Sequence, residues 1–391
     1  MRIVIAGAGV AGVSTAAALR AGGFGDTITL IDAGDFPHDR PPLTKDYLAG
    51  HSDAKQLALQ PPEWYDQQDI DLRVNTSVVA LRPSAGGVEL SDSTTLPADF
   101  VVLATGGRAA RPPIPGIGAA HTIRTIEDAD RLRTHLVPGT RVLVIGAGLI
   151  GAELASTAAA LGCAVVLVDP VAVPLAGAVG TDFATWLHEQ HATRGITTLH
   201  AGVAELREHE AILTDGRTVP FDVVVAGVGM TPATRLAESA GLAVDRGILV
   251  DQRQVTSHPH VLAVGDPSRR TGENRAEHWE AAQRGGERAA ATLLGIAAPP
   301  AQASWFWTDR HGYHVEAVGR MADADLTVLR GSFDDTTFAV FGLRGDSVVA
   351  AASVNDSIAV RTARRLIDRG LVVSAAQLAD PSVNLRRLVK G

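Results

Sequence analysis

The chain opens on a run of apolar residues, Ile3 to Ala6, that breaks into a glycine-rich turn and then into an alanine-rich stretch of helical spacing. A second β-branched run, ITLID (28–32), follows. Continuous apolar runs of this kind, without the alternation of a half-exposed strand, suit parallel strands buried on both faces. The same order recurs in the interior: RIVIAGAGVAG (2–12) is echoed by RVLVIGAGLIG (141–151), and ITLID by VVLVD (165–169). A further echo, FVVLATGG (100–107) and FDVVVAGVG (221–229), places a strand and a glycine turn near the end of each repeat. Two βαβ-based nucleotide domains are the expectation.

Proline and composition mark the borders. RPPIPG (111–116) reads as a linker into the second repeat, because residues before proline are biased to extended geometry. VLAVGD (261–266) and a helical pattern over 277–294 return the chain to the first domain. Pro299 and Pro300 then open a tail with Trp305, Phe306 and Trp307, an alternating strand over 338–343 and a helix over 360–369. The expected fold class is α/β, with two Rossmann-like dinucleotide-binding domains in a glutathione-reductase-like arrangement and a small α+β C-terminal domain. The expected boundaries are 1–108 with 234–303, then 109–233, then 304–391.

At 391 residues, 46% hydrophobic and 20% charged, the chain has material for more than one core. A formal net charge of −8 gives no general attraction to nucleic acid or anionic lipid. The stretches 3–19 and 142–168 are apolar enough to suggest a targeting or membrane segment, but regular glycines interrupt both and one duplicates the other. They are read as strand, turn and helix. The lone Cys163 cannot form an internal disulfide; it excludes an intramolecular dithiol mechanism and fits a reducing, cytoplasmic setting.

The glycine loops carry the first chemistry. Gly7 permits a tight turn, Gly9 lets backbone approach a pyrophosphate and Gly12 lets the helix pack closely, while the helix N-terminus favours the anion. Asp32, 20 residues after Gly12, stands where a ribose-binding acid belongs, with Asp35 as its rival. Gly146, Gly148 and Gly151 repeat the arrangement, and Asp169 follows 18 residues later; an acid there favours NADH over NADPH. Glu153, just inside the second helix, has a structural reading as a partner of the helix dipole. Gly265 and Asp266 end a buried strand, where an acid also serves as a turn cap. Taken singly, Lys45 is a surface charge and Trp279 a core aromatic.

Taken together, the motifs are similar to those of the NADH-dependent ferredoxin reductases of the putidaredoxin-reductase and biphenyl-dioxygenase-reductase type. The likeness is carried by RPPLTK (40–45), VVLATGGRAARPP (101–113), IRTIEDA (123–129), GAGLIGAELA (146–155), AGVGMTP (226–232), GLAVDRGILVD (241–251), VLAVGD and WFWTD (305–309). It implies FAD and NADH as cofactors. By this resemblance Ala11, Arg40, Lys45, Val78, Thr105, Gly106, Arg124, Asp266, Glu277, His278 and Trp279 fall at flavin-binding positions, while Ile150 and Gly229 join the second loop's cofactor set. Lys45 would lie near the reactive edge of the flavin, Glu153 near the nicotinamide and Trp307 on the side facing the electron acceptor. The ribose acid of the family usually stands two or three positions past the strand, where this chain has Ala33 and Gly34; His38 and Ala281 replace a frequent tyrosine and asparagine.

The implied activity is hydride transfer from NADH to FAD and single-electron transfer to a [2Fe-2S] ferredoxin serving a cytochrome P450 or Rieske dioxygenase. Arg269, Arg270, Arg275, Arg284 and Arg310 are candidates for a basic rim that meets the acidic ferredoxin. Two other readings are direct NADH oxidase activity and an NADH-responsive redox sensor that signals to a partner. Disulfide reductases need a cysteine pair and related peroxidases a nucleophilic one; Cys163, at the start of a buried strand, reads as structural.

Overall fold

A computed structural model describes residues 1–83 and 86–389. Ser84 and Ala85 of the expected first domain, and Lys390 and Gly391 of the expected third, lie outside them. The chain divides into two compact units, one of residues 1–40, 53–108 and 230–300, the other of 41–52, 109–229 and 301–391.

The first unit is built on a parallel sheet in which the strand Arg2–Ala6 lies between Thr27–Ile31 and Phe100–Leu103, with Ile70–Arg73 and Val261–Ala263 at the edges. Ile3 faces Ile28 and Phe100 across the sheet, so the β-branched runs pair with one another, and both faces are covered by apolar clusters. One cover is a helix pair, Val10–Ala21 against Trp279–Leu294. Gly286 sets their separation: a Cβ there would come within 2.6 Å of the Ala11 carbonyl oxygen and 2.9 Å of the Thr15 nitrogen.

The second unit repeats the parallel motif in the order Thr197–His200, Ala164–Asp169, Arg141–Ile145, Val223–Ala226. It adds a five-stranded antiparallel sheet, ordered Trp305–Arg310, Tyr313–Gly319, Ser347–Val354, Phe338–Arg344, Leu326–Arg330. The helix Ser357–Arg369 buries Ala359, Val360, Ala363 and Leu366 against that sheet, and Asp356 caps its first turn by accepting from the Ile358 and Ala359 nitrogens at 3.1 Å. The opposite face packs Phe338, Val340 and Val354 against Phe183 and Leu187 of the helix Thr181–Thr193. The segment 41–52 also belongs to this unit, through the Thr157 hydroxyl, which donates to the Thr44 carbonyl at 2.7 Å.

No helix among the described residues is long and apolar enough to cross a membrane. The apolar stretches near both glycine loops are a strand, a turn and a helix each.

Replacing Gly286 by Ala is expected to destabilise the protein by about 1–3 kcal/mol, the usual cost of forcing a methyl group into a packed contact. Urea unfolding followed by circular dichroism measures it; an unchanged midpoint would mean the two helices can separate at no cost.

Candidate functional site

Both glycine loops fold alike. Gly7 has φ +113° and a Cβ on it would lie 2.2 Å from the Ala104 carbonyl oxygen; Gly146 has φ +97° and the equivalent atom would lie 2.5 Å from the Gly227 oxygen. Gly12 and Gly151 let the helix press onto the loop: a Cβ added at either would lie under 2 Å from the oxygen of Gly7 or Gly146. The helices Val10–Ala21 and Leu149–Ala160 begin at Gly9 and Gly148 with no side-chain cap and no acid in the first turn. Their leading N–H groups are thus left for an anion, in the field of the helix dipole. At Gly148 an added Cβ would meet nothing within 4 Å, and at Gly9 it would approach only the Arg40 guanidinium, at 3.1 Å. Open backbone donors beside an arginine are the chemistry a dinucleotide pyrophosphate requires.

The two candidate ribose acids also behave alike. Asp32 accepts from the Ala8 nitrogen at 2.6 Å and the Gly34 nitrogen at 2.8 Å; Asp169 accepts from the Ala147 and Val171 nitrogens, both at 2.7 Å. Each ties its glycine loop to the strand end, a use of the acid that spacing did not reveal. A carboxylate has capacity for about four hydrogen bonds, so two sites on each remain for a sugar hydroxyl. Asp35 is exposed.

Several other predicted positions hold local structure. The Thr105 hydroxyl donates to the Ala233 carbonyl at 2.8 Å and Gly106 accepts from the Ala233 nitrogen at 3.0 Å. Gly265, at φ +72°, would place a Cβ 2.8 Å from Cβ of Ala11, and Asp266, half-buried, follows it. Glu277 pairs with Arg275, and His278 caps the helix Trp279–Leu294 by accepting from the Ala281 nitrogen. Burial pulls the His278 imidazole below its ordinary pKa, which suits an acceptor. The Trp279 indole donates to Asp39 at 2.9 Å; burial raises the Asp39 carboxyl, although that bond opposes it. Val78 starts a short strand and is half-buried.

In the second unit the Arg124 and Thr125 nitrogens donate to Asp128, capping the helix Ile126–Arg133. Ile150 is 39% exposed beside the second loop, and Gly229, at φ +101°, accepts from the Ala110 nitrogen.

A buried polar cluster of the second unit gathers Lys45, Glu153 and Trp307. Glu153, 6% exposed, accepts from the Thr44 hydroxyl (2.6 Å), the Thr308 hydroxyl (2.7 Å), the Asp309 nitrogen (3.2 Å) and the Lys45 ammonium (3.1 Å). Four donors, one a cation, are what a buried carboxylate needs. The dipole reading for Glu153 is therefore incomplete: its main partners come from the 41–52 segment and the strand Trp305–Arg310. Lys45 also binds Asp309 at 2.8 Å and stands 5.4 Å from the centre of the Trp307 ring, which stacks on Trp305 at 5.1 Å. Burial raises the Asp309 carboxyl, but its bonds to Lys45 and His314 outweigh burial and hold it below the ordinary value. Lys45 is thus no free surface charge. Thr44, Thr308 and Asp309 were not singled out from sequence, although RPPLTK and WFWTD contain them.

The arginines proposed as a basic rim are otherwise engaged. Arg269 pairs with Asp245, Arg270 with Glu273, Arg275 with Glu277 and Arg284 with Glu280, so each positive charge is matched by an acid. Arg310 is 5% exposed; its guanidinium lies 3.5 Å from the ring of the buried His191, and burial lowers it to about 10 despite the influence of Glu153. The even alternation of a strand puts Arg310 on the covered face, where it cannot meet a partner.

Residues 1–286 match the family described as pyridine nucleotide-disulphide oxidoreductase, and residues 305–389 the one described as reductase C-terminal. The chain is 40% identical to the ferredoxin–NAD(+) reductase component of the anthranilate 1,2-dioxygenase system of Burkholderia cepacia, covering 98% of both chains. It is 35% identical to putidaredoxin reductase of Pseudomonas putida over 99% of this chain and 96% of the relative. Among solved structures it is similar to the covalent putidaredoxin reductase–putidaredoxin complex, with a TM-score of 0.93, 34% identity and coverage of 100% of this chain and 98% of the other. The ferredoxin reductase for the CYP199A2 system of Rhodopseudomonas palustris matches with a TM-score of 0.94 and 32% identity over 99% of each chain.

Cys163 is 9% exposed, and burial raises its thiol above the ordinary value, so little thiolate exists near neutral pH. Native protein at pH 7–8 is expected to leave Ellman's reagent unreacted over minutes and to release one equivalent of thiolate after denaturation. Rapid reaction of the native thiol would contradict a structural role.

Proposed function

The chain belongs to the pyridine nucleotide-disulphide oxidoreductase family, and from that we infer that it is an FAD-dependent NADH:ferredoxin reductase. The observation that carries this reading is the pairing of two glycine loops, each with open helix N-termini, with a buried lysine–carboxylate cluster in place of a redox disulfide. Bound FAD supplies the chemistry of taking an electron pair from NADH as hydride and releasing the electrons singly to a [2Fe-2S] ferredoxin of an oxygenase system.

The remaining assignments are the roles of this chain's own residues. The FAD-binding domain is proposed as 1–108 with 234–303, the NADH-binding domain as 109–233 and the third domain as 304–391. Gly7, Gly9 and Gly12 would bring backbone N–H groups to the FAD pyrophosphate with Arg40 beside them, and Asp32 or Asp35 would take the ribose. Ala11, Val78, Thr105, Gly106, Arg124, Gly265, Asp266, Glu277, His278 and Trp279 complete the flavin set. Gly146, Gly148, Ile150, Gly151, Asp169 and Gly229 would hold NADH. Lys45 keeps a positive charge where negative charge develops on the flavin, and Glu153 orients it from the nicotinamide side. Trp307, stacked on Trp305 and beneath Lys45, would face the ferredoxin. The reaction is placed in the cytoplasm, in keeping with the single buried thiol.

Anaerobic stopped-flow mixing with NADH is expected to bleach the flavin much faster than mixing with NADPH, and a [2Fe-2S] ferredoxin added next should be reduced. Lys45→Met is expected to slow bleaching on the order of 100-fold, the scale for removing one charge-stabilising donor. A fast variant, or a bleached flavin that reduces oxygen but not ferredoxin, would remove the assigned role of Lys45 or the ferredoxin reading respectively.

A further inference from the structure

The Lys45 ammonium is shared. It lies 3.1 Å from Glu153 and 2.8 Å from Asp309, so its position depends on how strongly each carboxylate pulls. Glu153 is held by three fixed donors: two hydroxyls and a backbone N–H. Asp309 is the variable partner, because its second oxygen meets Nδ1 of His314 at 2.5 Å. The other ring nitrogen of His314, Nε2, faces Glu316 at 3.0 Å. Glu316 is in turn fixed by the Ser357 hydroxyl, which donates to it at 2.5 Å, and by the Trp305 indole at 3.3 Å.

An imidazole with a carboxylate oxygen at each nitrogen satisfies both only when both nitrogens carry protons. A neutral ring would set its lone pair against a carboxylate. The geometry therefore describes an imidazolium, and the remaining charges around it are compatible with one. Asp309 faces it from the neighbouring strand and Glu316 from its own; Lys45 and Glu153 are reached through Asp309, while Arg310 turns away to His191. From the helix Ser357–Arg369 the group within reach is the Ser357 hydroxyl, bound to Glu316.

We propose that His314, as an imidazolium, is a positioning residue for Lys45: by sharing Asp309 it fixes where the ammonium stands between Asp309 and Glu153. When the ring loses its proton, Asp309 has one cation instead of two and draws Lys45 toward itself, away from Glu153. Burial works against the His314 charge, but the Asp309 and Glu316 contacts outweigh it and raise the imidazole above its ordinary 6.5. The sign follows: the shared arrangement is fully present at low pH and is lost as pH rises through the elevated value. The proposal rests on the reading of Lys45 as a residue that serves flavin reduction.

The test uses holoenzyme labelled with 15N-histidine, with the His314 ring signals identified by their loss in His314→Gln. In wild type the ring is expected to titrate above 6.5. Lys45→Met should raise the midpoint, since a competing cation is gone, and Glu316→Gln should lower it by about 1 unit, since an attractive charge is gone. In parallel, the limiting rate of flavin bleaching by NADH should fall on the order of tenfold as pH climbs through the wild-type midpoint, the scale of one charge-assisted hydrogen bond. That fall should move to lower pH in Glu316→Gln, in step with the ring signals, and be absent in His314→Gln. A His314 midpoint indifferent to Lys45→Met, or identical rate profiles for wild type and Glu316→Gln, overturns the proposal. Should NADH fail to bleach the flavin at all, the functional reading fails, while the ring titrations still decide whether His314 and Lys45 are coupled.

Discussion

Burying a carboxylate is expensive unless charge and hydrogen bonds are supplied to it, and Glu153 is almost wholly buried in the second unit. Two separate pieces of chain meet that demand on a third. The segment 41–52 brings Thr44 and Lys45, the helix Leu149–Ala160 carries Glu153 itself, and the strand Trp305–Arg310 brings Thr308 and the Asp309 nitrogen. Removing one partner of such a pair costs about 3–5 kcal/mol, several times the worth of an exposed ion pair. The loop, the helix and the sheet edge are therefore held in one arrangement by a single acid, and the lysine that serves it is oriented as a by-product.

The same logic separates this cluster from the arginines that looked more promising as a surface. Arg269, Arg270, Arg275 and Arg284 each have an acid within reach, which leaves little net field to attract a distant partner. Arg310 is the reverse case, a cation sunk among His188, His191 and His311, whose own protonation burial suppresses; His191 falls to about 2 and His311 to about 4. An interior arginine can endure beside a neutral imidazole because the ring's lone pair can accept from it, and His191 Nε2 lies 3.5 Å from the Arg310 guanidinium. Nothing in composition distinguishes it from the other four, which are only half-buried.

Much of the fold was legible because it rests on local rules. Glycines at 7, 9 and 12 and again at 146, 148 and 151, set between β-branched runs, leave few alternatives to a strand, a tight turn and a helix, and both turns adopt it. The site was legible in part. Lys45, Glu153 and Trp307 were identified through motif likeness, and they converge; yet their separation along the chain gave no hint that Asp309 and His314 would complete the set. Spacing reports what one element can present, whereas partners more than a hundred residues away are decided by packing. Asp32 and Asp169 show the limit from the other side: spacing located both, but not their bonds to the loop backbone.

The first unit is interrupted by the second in chain order, and this bears on biosynthesis. As the polypeptide leaves the ribosome, the strands of 1–108 emerge early, but the edge strand Val261–Ala263 and the helix Trp279–Leu294 come only after some 120 intervening residues of the second unit. Until then the helix Val10–Ala21 has no Gly286 to receive it, and the apolar surface around Ala11 and Leu19 stays open to water. The parallel sheet of 141–226 has all its strands in hand by then and can close first. The first unit, whose strands come early in chain order, is completed late, and its unfinished form leaves apolar surface uncovered for longer than that of the second sheet.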